Sequence, residues 1–270
     1  MEFNIRGRIK MNEWNPEVQN LQVNINSMKF PEDKSFLIEN LNFTLKPGEI
    51  VTLMGPSGIG KTTFLRIIAG LETRFNGEIL IRGKVNEAPS RVIQLLYQDY
   101  CLFPWMTARE NVMFSLAHSH SDDEKNAADS LLYDVGLENK SERWPCELSG
   151  GEIARVALAR AICGHPAILL LDEPFSNIDL QVKRELQLMV VNLAKEHNVG
   201  IVMVTHDIKD AVFLSDRIFL AREKPMGNLI EIEIDHSFPR QLQSKFFQDI
   251  IFSIEKELLS LEINKLCRKK

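Results

Sequence analysis

Long hydrophobic runs are missing from this 270-residue chain. Its most apolar stretches, 167–171 and 200–204, fall far short of the roughly 20 residues that a bilayer-crossing helix needs, so the chain does not span a membrane alone. Cysteine is scarce. Cys101, Cys146, Cys163 and Cys267 stand in separate segments with no C-x-x-C spacing, which argues against a disulfide scaffold and predicts free thiols, packed as small buried hydrophobes in a reducing compartment. Basic charge is not in excess: 37 acidic against 32 basic side chains leave a net charge of -5, so no global field draws nucleic acid and none is expected as a partner. Any anion must be gripped locally. The N-terminus offers charges and amides (Glu2, Arg6, Arg8, Lys10, Asn12, Glu13) with neither an apolar run nor a small-residue cleavage site, which points away from export.

What is present alternates between two periods. Residues 1–20 read as a polar N-terminal arm, aperiodic apart from Trp14, that forms either a loose arm or an added edge segment. Leu21, Val23 and Ile25, then Leu41, Phe43 and Leu45, recur every second residue as half-buried strands do. Pro47-Gly48 turns the chain into the apolar run 49–54, a predicted central strand, which ends in a glycine-rich loop and passes into a helical pattern from Lys61. Strands are expected over 77–83 and 92–96. A helix-rich insert follows over 99–165, where Thr107 with Glu110 and Ser121 with Glu124 have capping-box spacing. Alternation resumes with strands at 167–171, 200–204 and 217–220 and helices at 180–196 and 208–214. The expected fold is α/β, a mostly parallel sheet wrapped by helices and interrupted by a helical lobe: 21–98 and 166–235 form the core, and 236–270 a C-terminal amphipathic helix.

Three motifs carry chemistry. Gly55-Pro56-Ser57-Gly58-Ile59-Gly60-Lys61-Thr62, followed by Thr63, matches G-x-x-x-x-G-K-[ST] between a predicted strand and a predicted helix. Gly58 and Gly60 can take positive φ, so that successive amides point inward at a polyanion. The following helix contributes its positive end, Lys61 a point charge for the β- and γ-phosphates, and Thr62 a hydroxyl for Mg²⁺. The second motif is the apolar strand that ends in Asp172-Glu173-Pro174, two carboxylates at the carboxyl edge of the sheet: Asp172 for the Mg²⁺ shell, Glu173 to take a proton from an attacking water. A plain acidic helix start is its bland alternative. The third is Leu148-Ser149-Gly150-Gly151-Glu152. Ser149 and Glu152 have the spacing of a capping box, but capping does not account for two glycines in a first helical turn. Exposed amides there suit a phosphate held by another molecule.

Together these motifs, with Gln98 after a strand, Ser176-Asn177-Ile178-Asp179 and Thr205-His206-Asp207, resemble the ATP-binding cassette subunit of an ABC transporter over residues 21–220. The resemblance implies a P-loop NTPase with an N-terminal antiparallel β-subdomain and a helical subdomain, ATP and Mg²⁺ as cofactors, and a head-to-tail pair of cassettes. It implies that Gln98 reaches Mg²⁺ and the water, that Ser149, Gly150 and Gly151 touch the γ-phosphate of ATP on the second cassette, that Asp179 couples the two sites, and that His206 holds Glu173 and the water. Phe30 is the candidate to stack on adenine where a tyrosine is usual. Glu152 replaces the common glutamine, and Ser-Asn-Ile-Asp replaces Ser-Ala-Leu-Asp.

The implied partners are a second copy of the cassette, integral membrane permease subunits and an extracytoplasmic solute-binding protein, with the chain peripheral on the cytoplasmic side. The apolar segment 99–105 is either a docking surface for the permease or a satellite core. That segment, the short C-terminal portion and Ser237-Phe238-Pro239-Arg240 resemble cassettes of nitrate, sulfonate and taurine-type importers. His118, His120, Asp122 and Asp123 read as a solvated loop rather than a metal cluster, and Arg268, Lys269 and Lys270 as a solubilising end. The rival to transport is a soluble ABC ATPase of DNA maintenance or translation, whose members carry long coiled coils between the motif halves or two cassettes in one chain; neither feature is present. A phosphate-loop kinase would lack the Ser-Gly-Gly helix start.

Overall fold

The computed structural model describes residues 20–267 apart from 117–120, 177, 239 and 242, with side chains up to residue 260. In chain order the elements are β1 (Leu21–Met28), β2 (Ile38–Leu45), β3 (Ile50–Met54), α1 (Lys61–Ile68), β4 (Phe75–Ile81), β5 (Lys84–Val85), β6 (Ile93–Leu96), α2 (Ala108–Met113), α3 (Asp122–Asp134), α4 (Gly150–Cys163), β7 (Ile168–Asp172), α5 (Leu180–His197), β8 (Gly200–Val204), α6 (Ile208–Leu214), β9 (Arg217–Ala221), β10 (Leu229–Glu233) and α7 (Lys245–Cys267). Strands β3, β7 and β8 are buried at every residue, which is why their sequences run apolar without alternating. They are the centre of a six-stranded sheet of order β10-β9-β3-β8-β7-β6, parallel throughout except for the β10–β9 edge. The alternating strands β1 and β2 pair antiparallel, and with β4 and β5 make a second sheet of order β2-β1-β4-β5.

One apolar cluster joins the antiparallel sheet and α1 to one face of the parallel sheet through residues such as Leu41, Phe43, Phe64 and Leu170. Helix α1 buries Phe64, Leu65, Ile67 and Ile68, each worth about 1.5–3 kcal/mol when taken out of water. A second cluster joins α2–α5 to the other face, through Val112, Leu132, Val156 and Val190 among others. A third sets Phe247, Ile251 and Ile254 of α7 against Ala211 and Val212 of α6, so the terminal helix packs on its own chain. Arg240, itself buried, donates from Nη1 to the carbonyl oxygens of Val212, Phe213 and Ser215 and thereby closes the C-terminus of α6. Among the described residues no helix is long and apolar enough to cross a membrane.

Several expectations change. The strand expected over 77–83 is β4, which ends at Ile81 before a turn at 82–83, and the C-terminal helix expected from 236 starts at Lys245. Asn20, assigned to the N-terminal arm, is buried, its amide bonds the Leu45 carbonyl and its side chain donates to the Ala167 carbonyl at 3.0 Å, so it belongs to the packed fold. Cys101 and Cys146 are exposed and only Cys163 is a buried thiol among those described, because Cys101 lies in the loop after β6 and Cys146 in a short 3-10 turn before α4. Residues 1–19, with Trp14, the histidines 118 and 120, and the end 268–270 lie outside the described residues.

Candidate functional site

Parallel strands deliver their C-terminal ends to one edge, and the sequence places chemistry after each. Beyond β3 comes the glycine-rich loop, beyond β8 His206, at the end of β7 Asp172 and Glu173, and beyond β6 Gln98. Register sets the level. Leu96 pairs with Leu171, so Gln98 and Glu173 leave neighbouring strands two residues later, and Asp172 pairs with Val204, two residues before His206.

The loop needs its glycines for contact as well as for turning. At Gly55, φ is +155°, and a Cβ would lie 2.7 Å from the Ala221 carbonyl oxygen of neighbouring β9. Gly60, at φ +115°, is the N-cap of α1, and a Cβ there would meet Leu37 at 3.1 Å. Gly58 is also left-handed, at φ +72°. Ile59 is buried and anchors the loop, while Ser57 and Gly58 are exposed at its crest and Pro56 is half-buried. Lys61 lies back across the loop, its Nζ donating to the carbonyl oxygens of Gly55 at 2.8 Å and Pro56 at 3.2 Å. Thr62 is exposed on the first turn and hydrogen-bonds Asp172, and Thr63 follows half-buried.

Asp172 is 8% exposed. Burial pushes its carboxyl above the usual carboxylate range and neighbouring Glu173 adds to that, while the Thr62 bond and the Lys61 charge oppose it. Glu173 has φ +51°, a left-handed backbone rare outside glycine and held by its amide bonding the Val204 carbonyl at 2.9 Å. Its Oε2 lies 2.7 Å from Nδ1 of His206, whose side chain is 75% exposed and faces outward from the edge. A carboxylate and an imidazole thus share one contact beside the phosphate loop. The residues fit a Mg²⁺: the Thr62 hydroxyl and the Asp172 carboxylate are hard oxygen donors already in contact, and phosphate oxygens with water complete such a shell. Among the described residues no group of three or more His, Cys, Asp and Glu side chains could hold a metal unaided.

The Ser149 start of α4 stands on its own, since among the described residues no hydrogen bond or ion pair joins it to the loop. Ser149 Oγ accepts from the Glu152 amide and the Glu152 carboxylate accepts from the Ser149 amide at 2.9 Å, which completes the capping box. The extra charge of Glu152 is met by Lys140, whose hydrogen bond holds the carboxyl below its ordinary range. The two glycines differ. A Cβ on Gly151 would meet Val182 Cγ1 of α5 at 2.7 Å, so helix packing by itself requires that glycine; Gly150 is exposed with open space around it, and packing gives it no such reason. Asp179 caps α5, accepting from the Gln181 amide at 2.9 Å, and is exposed.

Segment 99–105 divides between the two expectations. Tyr100 is buried, its hydroxyl donating to the Pro174 carbonyl at 2.9 Å, and Phe103 stacks on Phe114 at 4.5 Å between centroids. Trp105 is 67% exposed. Asn111 holds the loop in shape, receiving the Phe103 amide at 2.8 Å and donating to the carbonyls of Phe103, Met106 and Thr107. Arg160 of α4 donates to the Tyr100 and Cys101 carbonyls, so the loop after Gln98 is tied to the helix that Ser149 opens.

Sequence reading missed a cluster behind His206. Lys183 of α5 reaches Asp207 at 2.9 Å and Asp210 at 2.7 Å, and Gln187 donates to Asp210 at 2.9 Å. Burial pushes Asp210 up to about 6 against the Lys183 hydrogen bond. For Lys183, burial opposes the charge but the bonds to Asp210 and Asp207 outweigh it and raise its pKa; for Asp207, burial is likewise outweighed, by Lys183 and the α6 amides, and its carboxyl is lowered. The signal was a Lys and a Gln four apart on an otherwise core-facing helix stripe.

Comparison with known proteins places relatives beside this geometry. The ABC transporter family model matches residues 38–176. The chain is 39% identical over 214 residues to an aliphatic sulfonates import ATP-binding protein of Bacillus anthracis, covering 79% of this chain and 85% of that protein. It is 40% identical over 243 residues to an uncharacterized ABC transporter ATP-binding protein of Bacillus subtilis (strain 168), covering 86% and 92%. A dimeric ATP-binding cassette solved in a post-hydrolysis state with ADP and Pi superposes with TM-score 0.70 at 29% identity, over 80% of this chain and all of that one.

Proposed function

The chain belongs to the ABC transporter family, and from that premise we propose how its residues divide the work and what class of solute is moved. It is an ATP-hydrolysing subunit of an ABC transporter. The glycine-rich loop wraps the ATP phosphates with its amides and the N-terminus of α1, and Lys61 exchanges the Gly55 and Pro56 carbonyls for phosphate oxygens. Thr62 and Asp172 would hold a Mg²⁺, which would supply positive charge against the phosphates. Glu173 takes the proton of the attacking water, His206 fixes the Glu173 carboxylate at 2.7 Å, and Gln98 at the same level orients the water and senses the permease. Ser149 and the open Gly150 of a second copy close over the γ-phosphate, with Asp179 between the two sites, so catalysis requires the pair. Phe30 carries the adenine.

The observation that carries this division is the Glu173–His206 contact beside the Thr62–Asp172 pair on one sheet edge. Glu173→Gln tests it: turnover should fall at least about 100-fold while ATP still binds and a dimer accumulates in light scattering. Hydrolysis at the wild-type rate would remove Glu173 from the role.

The chain works on the cytoplasmic face of the membrane, docked on permease subunits through the loop that carries Trp105, and with an extracytoplasmic solute-binding protein it drives import of small sulfonate-like anions. Support for the cargo is the sulfonate import assigned to its relatives. Proteoliposomes that hold the full transporter should take up alkanesulfonates on ATP addition; uptake of polyamines alone would refute that cargo.

A further inference from the structure

The reading of Phe30 as the base platform leaves one neighbouring cation without a task. The last pair of the β1–β4 ladder is Met28 with Phe75, so the chain leaves the sheet toward Phe30 on one strand and arrives from Arg74 on the other, at the same end. The guanidinium carbon of Arg74 lies 5.2 Å from the centroid of the Phe30 ring. Leu37, whose amide bonds Met28 to close this hairpin loop, lies against Gly60, so the connection that carries Phe30 runs beside the phosphate loop.

Arg74 is also held rigid. Its Nε donates to Glu72 Oε1 at 2.9 Å and its Nη2 to Oε2 at 2.8 Å, a two-point clamp, and its own amide donates to Oε1 at 2.9 Å. Glu72 is 8% exposed and held at about 2, chiefly by the Arg74 hydrogen bond, so the clamp is ionised across the working pH range. The Arg74 side chain is 59% exposed, and its Nη1 has no partner among the described residues. A fixed planar cation over an aromatic ring, with the Nη1 donors unused, is a built recognition element, whereas an ordinary surface arginine moves freely.

We propose that Arg74 is a specificity-determining residue of the nucleotide site, standing beside the Phe30 platform so that Nη1 donates to a ring nitrogen acceptor of a purine base stacked on that ring. The proposal rests on the assignment of Phe30 as the base platform. Glu72 acts as a positioning residue: it fixes the plane of the guanidinium and leaves the third nitrogen for the ligand. Lysine cannot substitute, because it lacks both the plane and the second donor that Glu72 grips.

Calorimetric titration of the full chain with ATP and with CTP, beside steady-state hydrolysis, provides the test. Arg74→Ala should weaken ATP binding roughly threefold to tenfold, raise the KM for ATP alongside it, and bring CTP closer to ATP. Arg74→Lys should behave like alanine, and Glu72→Gln should lose part of the preference. Because Arg74→Ala strands a buried carboxylate, Arg74→Ala with Glu72→Gln serves as the second variant and should show the same loss. If Phe30→Ala weakens ATP binding but both Arg74 variants keep wild-type affinity and preference, Arg74 has no such role. If Phe30→Ala also binds ATP normally, the platform assignment falls with it.

Discussion

Replacing Lys183 by methionine isolates the charge cluster behind His206. Asp210 is 4% exposed, and Lys183 is the cation it touches. Asp210 titrates near 6 in the fold, against 3.8 for the ordinary group, so its contribution to stability is fully present below 3.8 and is lost as the pH rises through 6. Without Lys183 the buried carboxylate escapes its isolation by taking up a proton. At pH 8 that uptake, for a group that titrates near 6, costs about 1.36 kcal/mol for each of roughly two pH units, about 3 kcal/mol; at pH 6 it costs almost nothing. The penalty of Lys183→Met should therefore be about 3 kcal/mol at pH 8, in line with the ~3–5 kcal/mol for breaking buried ion pairs, and should shrink to about 1 kcal/mol near pH 6. Urea unfolding of wild type and variant at both pH values measures it. Adding Asp210→Asn should abolish the pH dependence. A penalty equal at pH 6 and pH 8, or below about 1 kcal/mol at pH 8, would show that Lys183 does not hold Asp210 ionised.

Gly151→Ala should destabilise the chain by roughly 1–3 kcal/mol through the Val182 clash, and Val182→Ala should restore most of it in thermal unfolding, whereas Gly150→Ala should leave stability within about 1 kcal/mol and instead slow hydrolysis. Tyr100→Phe should cost about 1–1.5 kcal/mol in urea unfolding by stranding the Pro174 carbonyl. Trp105→Ala, at an exposed site, should change stability by less than about 0.5 kcal/mol yet weaken copurification with the permease, while Phe103→Ala should lose both.

Much of the molecule was legible in the sequence because its signals are local. Alternation in 21–25 and 41–45 announced half-buried strands, unbroken apolar runs announced the buried parallel strands, and the loop 55–62 carries its own grammar of glycine, lysine and threonine between a strand and a helix. Capping at Thr107 and Ser149 follows from a three-residue spacing and needs no long-range contact.

Tertiary structure alone decided what depends on elements distant in the chain. That Gly151 packs on Val182, that Lys183 is shared by Asp207 and Asp210 at the start of α6, and that Arg74 is clamped over Phe30 all depend on strand order and helix packing. Periodicity fixes which side of an element turns inward, but the partner on that side is chosen by the register and order of strands far apart in sequence, and charge pairing responds to that choice. The exposure of Cys101 and Cys146 has the same origin: a thiol's composition-based preference for the core yields to the position of its loop in the assembled fold.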